Sequence, residues 1–283
     1  MKSPLRYPGS KAAFAPVFFD ITSGMHNATE TLIEPFAGSA ALSLYALENN
    51  LCSKVILIER DPLLYGFWES AFNHTQELVQ KIEQVEITIG TWLNLNQYRL
   101  FDKPDMNQLV DLGFSGLFFN RTNFSGIIGS TPIGGMEQNS NYKINCRFNK
   151  KEIIKSIQNI AQFKDNVTVI FGNAVDEIIK YSKEKTNLFF FIDPPYYKQG
   201  QKLYRYSYTV ADHLNLSSIL KNVAQPFFLT YDKHHVIEYL YKDLYIHNFN
   251  NRYTTRVPKM GNELLISNRE FCNNCILTTN TTP

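Results

Sequence analysis

The tightest constraint on this chain is a rhythm of short apolar runs, each closed by a turn and followed by a helical stretch. Residues 31–33 run into Glu34, Pro35, Phe36, Ala37, Gly38 and Ser39, and then into the Ala/Leu-rich stretch 41–47. Residues 55–58 end at Glu59, Arg60 and Asp61, where Pro62 supplies the pre-set φ that suits the first turn of a helix. Val167–Phe171 and Leu188–Ile192 are two more continuous apolar runs, separated by a helical stretch over 175–181; 226–229 and 264–266 add further strand candidates. Runs that are apolar throughout, rather than alternating, are what strands covered on both faces require. The pattern predicts an α/β fold with a mostly parallel, helix-covered sheet. At 283 residues the chain suffices for one large domain or two smaller ones.

Between residues 90 and 149 the rhythm breaks. This stretch is rich in Asn, Gly and aromatics, with Gly126, Gly129, Pro132, Gly134 and Gly135 marking turns, and it reads as an insertion. At its end Lys143, Arg147, Lys150, Lys151 and Lys155 stand against the single acid Glu152, either as a solvated helix start or as a surface for a polyanion. The net charge of +2 provides no global field, so attraction to a polyanion has to come from such local clusters. No apolar run approaches the roughly 18 residues of a membrane span. No apolar stretch follows the basic residues at the N-terminus, and a soluble, cytoplasmic protein is expected. Cys52, Cys146, Cys272 and Cys275 are too few and scattered for a disulfide framework. Cys272 and Cys275 have metal-ligand spacing but lack a second pair, so no metal is assigned.

The turn Glu34 to Ser39 is a weak signal by itself, since Phe36 and Ala40 stand where a dinucleotide fingerprint has glycines. It gains weight from Glu59, which ends the next strand about 20 residues later, where a carboxylate accepts hydrogen bonds from ribose hydroxyls. The strongest feature is Asp193, Pro194, Pro195, Tyr196 and Tyr197, directly after the strand Leu188–Ile192. The prolines remove two amide donors, so the loop presents the Asp193 carboxylate and main-chain carbonyls as an acceptor-only edge. Such an edge suits the two N–H donors of a nucleobase amine, and the Tyr196 ring offers a stacking face. His213, beside Asp212 before a leucine-rich stretch, reads as a scaffolding or capping residue rather than a proton shuttle.

The Asp193 to Tyr197 loop resembles the Dam-type DNA adenine methyltransferases, together with the 34–44 segment EPFAGSAALSL, the N-terminal Leu5 to Lys11 and the order of motifs. Asn120 to Gly126 and Glu263 to Asn268 add to the likeness. The resemblance implies a Rossmann-like seven-stranded sheet, with a catalytic domain at 1–88 and 160–283 and an inserted target-recognition domain at 89–159. It implies S-adenosylmethionine as cofactor and double-stranded DNA as substrate. By the same likeness Tyr7, Lys11, Glu34, Pro35, Phe36, Ala37, Gly38, Ser39, Glu59, Asn173 and Asp193 bind the cofactor. Asp193, Pro194, Pro195 and Tyr196 form the catalytic loop. Asn173 and Ala174 stand where relatives commonly have Asp and Phe; the Asn173 amide oxygen is still able to accept a bond from the cofactor's adenine.

An adenine amine inside a duplex is paired, so the base has to be rotated out. Phosphate contacts fall to Lys143, Arg147, Lys150, Lys151, Arg252, Arg256 and Lys259. Arg121 and Asn123 are expected to read base edges, and Phe124, by likeness, to wedge into the stack. Arg121 as a structural ion-pair partner and Phe124 as core are the competing readings. Competing functions are a DNA-binding protein without turnover and a methyltransferase acting on RNA or protein. The resemblance also implies a monomer or weak dimer, with a restriction endonuclease as a functional companion in a restriction-modification pair.

Overall fold

The computed structural model describes residues 1–7, 9–23, 30–184, 187–198, 205–253 and 259–270, with the backbone alone at 250–253 and 259–261. The strands are β1 (Thr31–Glu34), β2 (Lys54–Glu59), β3 (Val167–Phe171), β4 (Leu188–Ile192), β5 (Phe227–Asp232), β6 (Tyr245–Tyr253) and β7 (Lys259–Ser267). They form one seven-stranded sheet in the order β3-β2-β1-β4-β5-β7-β6. All neighbours from β3 to β5 are parallel, and β7 runs antiparallel to both β5 and β6. This is the expected α/β sheet. β6 escapes the apolar-run pattern because it pairs on one side only, and its Asn and His residues read as loop.

The β4 sequence Leu-Phe-Phe-Phe-Ile is continuous because its alternate side chains enter two different cores. Phe189 and Phe191 join one cluster with Phe18 of α1 (Ala15–Ile21), Leu44 of α2 (Ala41–Glu48) and Phe67 of α3 (Pro62–Asn73). Leu188, Phe190 and Ile192 join the other, with Ile178 of α8 (Ala174–Tyr181), Leu216 and Leu220 of α9 (Val210–Leu220), and Ile237 of α10 (His235–Leu240). At a period of two residues, a strand covered on both faces has no polar side to show.

The middle segment is mostly helical. It holds α5 (Ile89–Leu95), α6 (Leu109–Thr122) and the start of α7 (Lys150–Ala161), which packs beside α4 (Thr75–Gln84). Leu112, Leu117 and Phe118 of α6, and Ile153 and Ile157 of α7, belong to the same cluster as the sheet residues Phe189 and Phe191. The 89–159 segment is therefore built onto the sheet's own core rather than around a core of its own. α6 is buried along most of its length and has no polar stripe, so it lacked the 3.6-residue alternation that marks a surface helix. Among the described residues no helix is long and apolar enough to cross a membrane.

Candidate active site

In this strand order the chain leaves β1 towards β2 and β3, then returns to β4 on the other side. The carboxyl ends of β1 and β4 thus flank a crevice, the place where open α/β sheets bind ligands. The turn after β1 is shaped for close approach. Gly38 has φ +46°, and a Cβ there would lie 3.0 Å from Cε1 of Tyr7, so a larger residue would push the Tyr7 ring out of its place. Trp68, buried in α3, donates its indole N–H to the Gly38 carbonyl at 3.0 Å, and Ala37 N–H donates to Ile58 O at 3.1 Å.

Glu59 closes the next corner. Its carboxylate accepts from the backbone amides of Arg60 (2.9 Å), Asp61 (3.0 Å) and Gly38 (3.3 Å), which ties the β1 turn to the end of β2. Burial pushes the Glu59 pKa up to about 7, and the neighbouring Asp61 charge adds to this, while the three amides oppose it. The ionised form is the stronger acceptor, so if Glu59 holds ribose hydroxyls as the resemblance implies, a nucleoside that enters below pH 7 has to displace a proton. Affinity for S-adenosylhomocysteine is accordingly expected to fall as pH drops from 8 to 6, approaching about tenfold per unit below the pKa. Isothermal titration across that range checks this; a flat profile would remove the assignment.

At the end of β4, Asp193 is held from both sides. Lys11 Nζ donates to Oδ2 at 2.8 Å, and Thr230 of β5 donates to Oδ1 at 2.5 Å. Lys11 also donates to Gly9 O at 3.0 Å and stands 5.1 Å from the centroid of the Tyr196 ring. Burial alone would lower the Lys11 pKa, but the charges of Asp193, Glu263 and Glu34 outweigh it and hold the ammonium protonated. Glu34 is buried, accepts from Ser43 Oγ at 2.5 Å, and has its pKa pushed up to about 8, chiefly by burial. Beyond the prolines, the amides of Tyr197 and Lys198 donate to the two oxygens of Asp232 at 3.0 and 3.1 Å, which locks the loop's exit to β5. His213 is buried, with Nδ1 2.8 Å from the Tyr231 hydroxyl, consistent with the scaffolding expected of it.

These groups meet in one cleft of about 1110 Å³, counted to its open mouth. It brings together Tyr7, Lys11, the 34–39 turn, Glu59, Asn173, Asp193 and Pro195. Pro194 and Tyr196 are not part of this wall; the Tyr196 ring lies behind it, between Lys11 and Tyr231. The Asn173 amide oxygen caps α8 by accepting from Val175 N–H at 2.9 Å, so the oxygen expected to face the cofactor already has a backbone partner. Sequence reasoning missed the far wall, formed by Arg205, Tyr206 and Tyr208. Arg205 anchors that wall by donating to Asp61 Oδ1 (3.3 Å), Arg99 O (2.5 Å) and Phe101 O (2.8 Å). It also missed Thr230, whose signal was a buried threonine within β5, one residue before Tyr231.

The fit to an adenosyl cofactor rests on the Gly38 cradle under Tyr7 and on the donor and acceptor set. Glu59 offers acceptors to vicinal hydroxyls, and Glu34 and Asp193 line the same cleft. The residues present fit the group.

The residues assigned to DNA divide. Asn123 is fully buried, its Oδ1 accepts from Trp92 Nε1 (2.7 Å), and its Nδ2 donates to Ile127 O (3.0 Å) and Ile128 O (2.9 Å). This corrects the expectation that Asn123 reads a base edge, because its amide is consumed in shaping the 123–131 loop. Arg121 turns its guanidinium to the Pro4 carbonyl, and burial pushes its pKa down to about 10. Phe124 is 56% exposed, so it is not core. Arg147 and Lys151 are exposed, Lys143 donates to Gln138 O, and Lys150 donates to Glu83 O at 2.7 Å. Arg252 and Lys259 lie on β6 and β7 with their side chains undescribed, and Arg256, Cys272 and Cys275 lie outside the described residues.

No curated protein sequence matches the chain. Among solved structures it is similar to a Pyrococcus horikoshii protein described provisionally as an RNA methyltransferase, at 12% identity and TM-score 0.44, covering 93% of this chain and 84% of that one. It is also similar to the rRNA methyltransferase aviRa from Streptomyces viridochromogenes, at 11% identity and TM-score 0.38, covering 97% and 90%. The family model of the D12 class N6 adenine-specific DNA methyltransferases matches residues 7–255, a span that takes in every residue of the cleft. On that match, and with an acceptor edge aimed from β4 into a nucleoside-sized cleft, the chain belongs to the D12 class N6 adenine-specific DNA methyltransferases, enzymes that place a methyl group on adenine N6 in DNA.

Proposed function

We propose that the cleft at the carboxyl ends of β1 to β4 binds S-adenosylmethionine, and that the Asp193 loop presents to it an adenine rotated out of duplex DNA. The observation that carries this reading is the Asp193 carboxylate, clamped by Lys11 and Thr230 at the edge of the cleft. When bound, the cofactor supplies an electrophilic methyl on a cationic sulfur. Glu59 accepts the ribose hydroxyls, the Phe36 to Gly38 turn lies under the methionine part, and Tyr7 and Lys11 close the cofactor side. Glu34, Pro35 and Ser39 shape the turn, and Asn173 flanks the adenine.

Asp193 and the Pro194 carbonyl each accept one proton of the target amine, Pro195 stiffens the loop, and the Tyr196 ring stacks on the base. Two acceptors draw the amine nitrogen towards a pyramidal, nucleophilic geometry. Transfer then depends on alignment more than on a strong base, with the departing proton passing to water. Extruding the base costs a few kcal/mol. Phe124, exposed at the tip of its loop, offsets part of this by filling the vacated stack. Lys143, Arg147, Lys150, Lys151, Arg252, Arg256 and Lys259 contact phosphates, and Arg121 lies at the base of this surface. The 89–159 segment serves target recognition. The enzyme acts as a monomer or weak dimer in the cytoplasm, paired with a restriction endonuclease.

The test is to incubate the protein with methyl-labelled S-adenosylmethionine and mixed-sequence duplex DNA, then digest to nucleosides. Label in N6-methyldeoxyadenosine is expected. Label confined to cytosine, or found only when transfer RNA or a glutamine peptide replaces the DNA, would overturn the reading.

A further inference from the structure

We infer that Arg99 is a positioning residue for base extrusion: its guanidinium fixes the main chain of the loop that carries Phe124. The inference rests on the Phe124 wedge proposed above and extends it to a residue outside the cleft wall. Phe124 and Ser125 are exposed, and Ser125 holds a left-handed backbone at φ +56°. An exposed tip gains little order from packing, so its place depends on the two limbs below it. The returning limb carries the acceptor for Phe124 itself, whose N–H donates to Thr131 O at 3.0 Å. Directly before Thr131, Ser130 O accepts from Arg99 Nη2 at 3.0 Å, and Ile128 O accepts from the same nitrogen.

The arginine suits that task because it is itself immobilised. Its Cζ lies 4.0 Å from the centroid of the Phe119 ring and 4.7 Å from that of Trp92, both of them buried. A planar guanidinium is attracted to ring faces while its edge stays free to donate. Nη1 donates to Asn96 Oδ1 at 3.1 Å, and Arg205 Nη2 donates to the main-chain carbonyl of Arg99 at 2.5 Å. Trp92 serves twice, since its indole N–H also donates to Asn123 Oδ1 at 2.7 Å. Asn123 holds the returning limb at Ile127 and Ile128, and Arg99 extends that hold to Ser130, next to the partner of Phe124. Rotating an adenine out of the duplex leaves a gap in the stack, and a wedge helps most when it is in place as the base leaves.

The experiment first maps the methylated site by sequencing duplex DNA treated with the wild type and S-adenosylmethionine. Single-turnover transfer is then measured on that duplex and on the same duplex with an abasic residue opposite the target adenine, where no partner holds the base in the stack. Arg99→Met keeps an apolar stem against the two rings and removes the donors. Relative to wild type on the same duplex, it is expected to slow transfer at least about tenfold when the adenine is paired, the scale of one charge-assisted hydrogen bond. Opposite the abasic residue it is expected to come within about threefold of wild type, because little extrusion cost is left. Arg99→Lys, which still donates, is expected to lie between. Phe124→Ala is expected to show the same pattern, and the double variant to be no slower than Phe124→Ala alone, because Arg99 acts through Phe124. A merely structural role would slow transfer to both duplexes alike, so an equal loss on the two overturns the inference. Phe124→Ala with no selective loss on the paired duplex overturns it as well, whether or not Arg99→Met folds. If the wild type methylates no adenine in DNA, the reading of function itself fails and the inference fails with it.

Discussion

Asp193→Ala is expected to lower methyl transfer to duplex DNA by at least about a hundredfold, the scale for one essential electrostatic group, with DNA affinity unchanged. The size of the effect follows from how the carboxylate is held. Lys11 fixes one oxygen and Thr230 the other, so the acceptor is oriented before substrate arrives. Alanine removes the acceptor and leaves two donors facing the amine, which repel the N–H groups they ought to attract. Asp193→Asn, whose amide oxygen still accepts, is expected to lie between the two. Single-turnover transfer measured beside fluorescence anisotropy on the same duplex separates chemistry from binding. Near-normal turnover in the alanine variant would remove Asp193 from the mechanism.

The second large effect concerns the joint between α6 of the middle segment and α3. α3 and α6 touch backbone to backbone: a Cβ on Gly113 would lie 2.3 Å from Gly66 O, and one on Gly116 would lie 2.5 Å from Leu63 O. Neither carbonyl is able to yield without unwinding α3, whose N-cap Asp61 also anchors Arg205 and the far wall of the cleft. Gly113→Val therefore has to push the helices apart. The expected loss is about 3 kcal/mol, at the upper end for overpacking. That corresponds to a midpoint lowered by roughly 6–12 °C in a thermal melt. An unchanged midpoint would mean that the two helices do not meet at these glycines.

The cleft was legible where chemistry leaves a local signature. Asp193 with its prolines, the Gly38 turn and Glu59 are each short segments at strand ends, and such segments are read from neighbours in the chain. Arg205 and Thr230 were not legible as site residues, because each acquires its role from a partner far away in sequence: Arg99 and Asp61 for the one, Asp193 for the other. Asn123 shows the converse. Its type and place near Phe124 pointed to base reading, but the amide is buried and bonded to Trp92, Ile127 and Ile128. An amide's chemistry is the same in either role, and only burial tells them apart.

What the sequence by itself determined is the mostly parallel, helix-covered sheet and the acceptor edge at the end of β4. Apolar runs, prolines and glycines act over a few residues, and their consequences are set by local geometry. The tertiary structure alone decided that the middle segment shares the sheet's core, that α6 meets α3 backbone to backbone at Gly66, Gly113 and Gly116, and that a buried lysine faces Asp193, Glu263 and Glu34. Those outcomes depend on which surfaces exclude water together and on charges brought within a few ångströms across the fold, and neither distance is written in the spacing of residues along the chain.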